Sequence, residues 1–284
     1  MTSEQTTSSR RWFITGAGSG LGRVIARCAL EAGDTVVGTV RTQEDLERLE
    51  ACRPGRAFGV ILDMRNTFDI GGACAFAEDA MGGIDVLVNN AGYGLVGAIE
   101  EAGDDEMRTL FDVNFFGPVC VIQHVLPGMR RRRNGHIINI TSVSGLAPWA
   151  GTGIYGASKY AMECIGQTLA DELAPLGIQV TNVEPGGLRT GFAGRSLNIS
   201  AHEIADYAQT AHASRKILQD HAGEEPGDPE KTARAIVSLS GKPGAPLHLL
   251  LGADALHYAT RKLDTMNAEI QAWSDVTLST GFGD

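Results

Sequence analysis

"WFITGAGSGLGRVIARCALEAG", residues 12–33, is the stretch that decides the fold. A β-prone run, Trp12–Thr15, meets a glycine-rich turn, and an apolar helical pattern then continues to Gly33, where it stops. The turn reads T-G-x-x-x-G-x-G. It does not fit G-x-G-x-x-G, because Leu21 occupies the place of the third glycine. Gly16, Gly20 and Gly22 permit a tight turn and let backbone N–H groups approach a phosphate at the helix N-terminus. A purely structural turn is the competing reading, and the strand before and helix after it weigh against that.

Outward from this unit, β-rich runs alternate with helical patterns nearly to the end. "TVVGTV" (35–40), "AFGVILDM" (57–64), "IDVLVNNAG" (84–92), "HIINITS" (136–142), "IQVTNVEPG" (178–186) and "LHLLLG" (247–252) read as strands. They are continuous Val/Ile/Leu runs, as expected of a parallel sheet covered on both faces. The fold class predicted is α/β: a single-domain, Rossmann-type, doubly wound sheet with helices on both faces. Residues 1–10 read as a disordered lead and 11–284 as one domain. Within it, 191–228 is an insertion of mixed helix and loop character and 252–284 a C-terminal extension.

The bulk composition narrows function by exclusion. The 284 residues are 43 % apolar and 20 % charged, enough for one sizeable core. A net charge of −10 argues against nucleic acid and anionic membrane surfaces as partners. The one basic run, "MRRRR" (129–133), reads as a helix end followed by an Asn-Gly turn. Five scattered cysteines without a C-x-x-C pair point to reduced thiols and a cytoplasmic setting. The seven histidines show no metal-ligand spacing, so no metal is expected. No apolar run approaches the ~20 residues of a membrane span, and the polar start lacks a secretion signal.

The second strand bears on the ligand. A carboxylate at its end would hold adenosine ribose hydroxyls and select NAD; here Val40 is followed by Arg41, a guanidinium suited to a 2′-phosphate. NADP(H) is therefore expected over NAD(H). Asp63, closing the third strand, could accept from an adenine amino group or cap the next helix. In "IYGASKYA" (154–161), Tyr155 and Lys159 stand four apart and share a helix face. A unit charge ~4 Å away is worth roughly 4 kcal/mol at an effective dielectric of 20, an upper bound of about three pKa units. That would bring the phenol from ~10 towards neutrality and make it a general acid. The small residues between, Gly156 to Ser158, would leave room for a ribose.

T-G-x-x-x-G-x-G, "NNAG" (89–92), the serine of "INITSVSG", Y-x-x-x-K and "PGGLRT" occur in order at matching spacing. Across roughly 11–190 the chain resembles the classical short-chain dehydrogenase/reductase family, in the region of the 17β-hydroxysteroid and retinol dehydrogenases. The resemblance implies a tetrad of Asn114, Ser142, Tyr155 and Lys159. Hydride would pass between nicotinamide C4 (pro-S face) and a carbonyl carbon. Tyr155 would protonate the alkoxide, Ser142 hold its oxygen, Lys159 hydrogen-bond the ribose and Asn114 hold a water linking Lys159 to solvent. It also implies cofactor contacts at Gly16, Ser19, Gly20, Leu21, Gly22, Arg41, Asp63, Met64, Asn90, Ala91, Gly92, Pro185, Gly186, Leu188 and Thr190, besides Tyr155 and Lys159. One departure is that Ser19 replaces the family's basic residue before the second motif glycine, so the NADP(H) reading rests on Arg41.

Tyr93, Leu95, Leu146, Trp149 and Phe192 would make the substrate pocket around Ser142 and Tyr155 apolar, fitting a small-molecule ketone or secondary alcohol. Arg189 and Arg195 are candidate anchors for a carboxylate. Phe111, Phe115 and Phe116 lie on helices that family members pair, implying a homodimer or homotetramer. The rival reading is a non-catalytic NADP(H)-binding redox sensor. Such a module typically loses the tyrosine or lysine, and both are present.

Overall fold

The computed structural model describes residues 9–282. β1 (Arg11–Ile14), β2 (Thr35–Val40) and β3 (Ala57–Ile61) alternate with α1 (Gly20–Glu31), α2 (Gln43–Cys52) and α3 (Thr67–Met81). The chain then returns to the other side of β1 as β4 (Val86–Asn89). β5 (Gly94–Val96), α4 (Asp104–Phe111), a π-helical turn (Asp112–Phe116) and α5 (Gly117–Arg132) lead on to β6 (Gly135–Ile140). α6 (Gly153–Leu173) leads to β7 (Ile178–Pro185). After it come α7 (Phe192–Arg195), β8 (Leu197–Ile199), α8 (Ala211–Asp220), α9 (Pro229–Leu239), β9 (His248–Leu251), α10 (Ala253–Ala272) and α11 (Ser274–Leu278).

Seven parallel strands form one sheet in the order β3-β2-β1-β4-β6-β7-β9. The order reverses between β1 and β4, and ligands of such sheets gather outside the strand ends at that point. Alternate strand residues feed two cores, which is why the strands read as continuous apolar runs. Phe13, Val37, Leu87 and Ile137 pack towards α3, α5 and α6. Trp12, Ile14, Val36 and Ile138 pack towards α1 and α9. β5 and β8 pair in a separate two-stranded parallel sheet, so the 191–228 insertion is fastened to the segment after β4.

A row of buried amides crosses the sheet. Asn89, Asn139 and Asn182 occupy opposed positions of β4, β6 and β7. Asn89 donates to Asn139 (2.9 Å) and Asn139 to Asn182 (3.0 Å), and Asn182 donates to Glu163 Oε2 on α6 (2.7 Å). Gly166 is required beside it, since a Cβ there would overlap the Asn182 amide.

Several expectations are corrected. Residues 1–8 of the expected lead lie outside the described residues, but Arg10 is tied down, its N–H bonding Asp34 (2.8 Å) and its guanidinium Ser240 (2.7 Å). The helical run Asp104–Arg132 is long and apolar enough, by length and composition, to cross a membrane. Its buried side, including Leu110, Val121, Ile122 and Met129, nevertheless packs into the protein core. The basic run does end α5, yet Arg133, not an Asn-Gly pair, takes the left-handed conformation (φ 50°). The Arg133 N–H bonds Arg130 O and the Asn134 N–H bonds Met129 O, the pattern that closes a helix by satisfying its last carbonyls. Gly135 is thereby released to start β6.

Candidate active site

The strand ends, α1, the insertion and α10 enclose an open cleft of about 1570 Å³. At its floor Gly16 (φ 71°) turns the chain out of β1, and a Cβ there would meet Ala91 Cα at 3.0 Å. Thr15 Oγ1 accepts from the N–H groups of Asn90 and Ala91 (3.0 Å each), and Asn90 Nδ2 donates back to Thr15 O (2.9 Å). The two loops are thus one rigid unit. Ser19, extended, caps α1 without a side-chain bond to the first turn. The N–H groups of Gly20, Leu21 and Gly22 therefore lack intrahelical partners, as a phosphate at a helix N-terminus requires. This cradle fits the diphosphate of a dinucleotide.

Gly16, Ser19, Gly20, Leu21, Arg41, Asp63, Met64, Asn90, Ala91 and Gly92 all line the cleft, as do Pro185, Gly186, Leu188 and Thr190. Gly22 does not; a Cβ there would overlap Gly16 O and the Asn90 amide, so it serves the packing of helix on loop. Asp63 caps nothing, because Asn66 caps α3. Its carboxylate pairs with Arg65 (2.5 Å), which holds it below its ordinary range. The sequence reading missed Asp45, which the first turn of α2 brings to the cleft, 3.0 Å from where a Gly18 Cβ would lie. Arg48 pairs with that carboxylate at 2.8 Å. Arg41 is exposed in the same wall.

Deeper in the cleft, Ser142, Tyr155 and Lys159 meet, whereas Asn114 is buried and does not line it. The π turn, a geometry common at functional sites, buries Asn114. Its amide donates to Tyr93 O (2.9 Å) and Ser158 Oγ (3.1 Å) and its Oδ1 accepts the Tyr93 N–H (3.1 Å), so the side chain is engaged by protein groups on every side. Ser142 ends the strand segment, and its Oγ accepts the Ser144 N–H at 3.1 Å. Lys159 Nζ donates to Ile140 O (2.9 Å) and lies 5.9 Å from the centre of the Tyr155 ring. Gly156 and Ser158 face away from the cleft. Gly156 packs by Pro148 and Ser144 O, and Ser158 donates to Tyr155 O (2.7 Å), so neither makes room for a ribose.

The expected lowering of the phenol is not found. Loss of water pushes Tyr155 up to about 12, offset in part by the Ser142 hydroxyl, and pushes Lys159 down to about 8. The spacing argument leaves out the cost of taking both groups from water, which is the largest cause of both shifts. Burial therefore favours the neutral phenol.

Tyr93, Trp149 and Phe192 line the substrate end, and the Phe192 and Tyr155 rings lie 5.9 Å apart. Leu146 does not; it packs with Val143, Ala255 and Ala259 beneath α10. Leu95 is buried in β5, and its neighbour Val96 faces the cleft instead. Arg189 is held by Glu225 O (3.1 Å), whereas Arg195 lines the cleft. From the C-terminal extension come Tyr258, 6.1 Å from the Trp149 ring, and Asp254, which accepts the Gly187 N–H at 2.7 Å. No sequence signal marked either of them.

A dinucleotide cradle at the switch point of a parallel sheet, opening onto a Ser-Tyr-Lys cluster, defines the class of nicotinamide-dependent oxidoreductases with a doubly wound fold. Comparison with known proteins narrows this: a family model described as short chain dehydrogenase matches residues 10–198, and the chain belongs to that family. Oxidoreductase BOA17 of Botryotinia fuckeliana (strain B05.10) is 34 % identical over 270 residues, covering 95 % of this chain and 98 % of its own. Human retinol dehydrogenase 8 is 37 % identical over 254 residues, covering 84 % and 80 %. Among solved structures, a short-chain dehydrogenase from Streptomyces avermitilis superposes with TM-score 0.91 at 41 % identity, covering 97 % and 100 %. A short-chain dehydrogenase/reductase from Burkholderia phymatum in complex with NAD gives 0.80 at 26 % (93 % and 95 %). The closed form of a serine dehydrogenase with NADP+ gives 0.72 at 29 % (84 % and 93 %). The protein is an enzyme acting on CH–OH and C=O groups.

Proposed function

We propose that the enzyme uses NADP(H) to interconvert a ketone and a secondary alcohol on a mostly apolar small molecule, with Tyr155 as the acid–base group. The observation that carries this is the convergence of Ser142, Tyr155 and Lys159 on the cleft that begins at the α1 N-terminus. The nicotinamide, when bound, supplies or accepts the hydride. The chain's own part is to move a proton and hold an oxygen. A phenol pushed up to about 12 stays protonated through the neutral range, the form needed to give a proton to an alkoxide in carbonyl reduction. The Ser142 hydroxyl stands beside it to hold that oxygen. Lys159, the buried cation of the site, is placed to stabilise the tyrosinate left behind.

The aromatic wall of Tyr93, Trp149, Phe192 and Tyr258 supports an apolar substrate. Arg41, exposed in the cleft and without an ion pair among the described residues, supports NADP(H), and the Arg48 partner of Asp45 removes a competing free carboxylate. Exposed Phe68, Phe116 and Tyr160 support self-association as a homodimer or homotetramer, and five free thiols support a cytoplasmic setting. The test is oxidation of NADPH with a panel of apolar ketones. Tyr155→Phe is expected to lose about 10²- to 10⁴-fold in kcat while still binding NADPH. A variant with the parent rate would move the chemistry elsewhere.

A further inference from the structure

Glu163 and Glu184 form a second titratable cluster that the mechanism above does not use. Glu163 stands on α6 one turn beyond Lys159, and Glu184 on β7; they are 1 % and 0 % exposed. With His248 of β9 their ligand atoms lie within 4.8 Å of one another, a gathering that the dispersed histidines gave no sign of. His248 Nδ1 is 2.6 Å from Glu184 Oε1, a hydrogen-bond spacing, and 3.6 Å from Glu163 Oε2, which also accepts from Asn182. The other two oxygens, Glu163 Oε1 and Glu184 Oε2, are buried with no hydrogen-bond partner among the described residues. The Thr141 hydroxyl lies within reach of Glu163, but its one proton goes to Val183 O at 2.9 Å, so it can accept from a protonated carboxyl and cannot donate to an ionised one. The groups that face Glu163 are Lys159 and Tyr160 on its own helix, Glu184 on β7 and His248 on β9; the 143–145 turn, packed against it at Gly145, brings none.

Burial raises both carboxyls above their ordinary range. A like charge so near disfavours ionisation of the second carboxyl once the first is charged. One proton between them turns one carboxyl into a donor and leaves its neighbour an acceptor, as a hydrogen bond between the two side chains requires. A single negative charge then remains on the pair. Half-exposed His248 connects it to solvent.

We propose that Glu163 and Glu184 share one proton as a unit, and that the charge left on it keeps the buried Lys159 ammonium protonated, making Glu163 a positioning residue for the active site. The proposal rests on the reading of Tyr155 and Lys159 above; neither carboxyl lines the cleft.

The two variants Glu163→Gln and Glu184→Gln are expected to act in opposite senses. The first removes the charge beside Lys159. The second leaves Glu163 a lone carboxyl that ionises more readily. With Nζ-labelled lysine, NMR follows Lys159 among the five lysines, assigned by its loss in Lys159→Arg. The Lys159 midpoint is expected to fall by at least about half a unit in Glu163→Gln and to hold or rise in Glu184→Gln, with the alkaline limb of kcat/KM moving in step. An unmoved midpoint in Glu163→Gln, a fall in both variants, or a divalent cation found on the pair by elemental analysis of the purified protein would overturn the proposal. If Glu163→Gln does not fold, a fall in Glu184→Gln alone overturns it and a midpoint that holds or rises supports it. Should Tyr155→Phe keep its turnover while the midpoints split as stated, the reading of the site fails and the coupling stands.

Discussion

Replacing Arg41 by alanine tests the cofactor reading. The side chain is exposed in the cleft wall just after β2 and carries no ion pair among the described residues, so its removal orphans no buried group. The loss should come from the ligand alone. A guanidinium–phosphate hydrogen bond contributes about 1.5–3 kcal/mol. Coulomb attraction at ~4 Å gives roughly 1–4 kcal/mol per unit charge between the dielectric of water and that of a protein surface, which brackets the same figure. At about 1.4 kcal/mol per decade, NADPH should bind roughly 10- to 150-fold more weakly. NADH has no 2′-phosphate and should change by less than about threefold. Quenching of protein fluorescence by each dinucleotide measures both constants. Raising the salt concentration should narrow the gap between them in the parent protein, because the site faces water. Equal losses for NADPH and NADH would refute the reasoning, and would direct attention to Asp45 as the group that holds the adenosine end.

Two further outcomes follow from the packing. Asn139→Ala leaves the Asn89 amide without an acceptor and Asn182 Oδ1 without its donor, both buried; at about 1–3 kcal/mol each, a loss of about 4 kcal/mol is expected in denaturant unfolding. A loss under about 1 kcal/mol would show that the amide row does not hold the sheet together. Burial raises the Glu101 carboxyl, but bonds from the Ile204 N–H, His212 and the Ala98 N–H outweigh it and hold the group at about 2. A depressed carboxyl stabilises the folded form above its unfolded value of ~4.3 and loses that contribution as pH falls towards about 2. Cleavage of the 200–212 segment by an acid-active protease should rise through that window in the parent, and at pH 7 a neutral protease should cut Glu101→Gln faster than the parent. Equal protection in both would show that other contacts fasten the insertion.

The sequence by itself determined the sheet and the dinucleotide turn and set Tyr155 and Lys159 on one helix face, because each is written in local chemistry; Asn114 and Ser142 were singled out only by the family resemblance. Apolar runs of strand length, glycines where the chain must turn sharply and a four-residue helical spacing constrain neighbours in the chain before any packing is known. Contacts between distant segments were beyond its reach. Leu146 is as apolar as Trp149, yet only the docking of α10 turns one inward to the core and leaves the other at the cleft. Asp45 looks like any acidic residue at a helix start until α2 folds back beside Gly18. The expected lowering of the Tyr155 phenol fails for the same reason. Spacing along a helix sets Tyr155 and Lys159 on one face, but the water each one loses is set by every element packed around them, and that loss is the largest cause of both shifts.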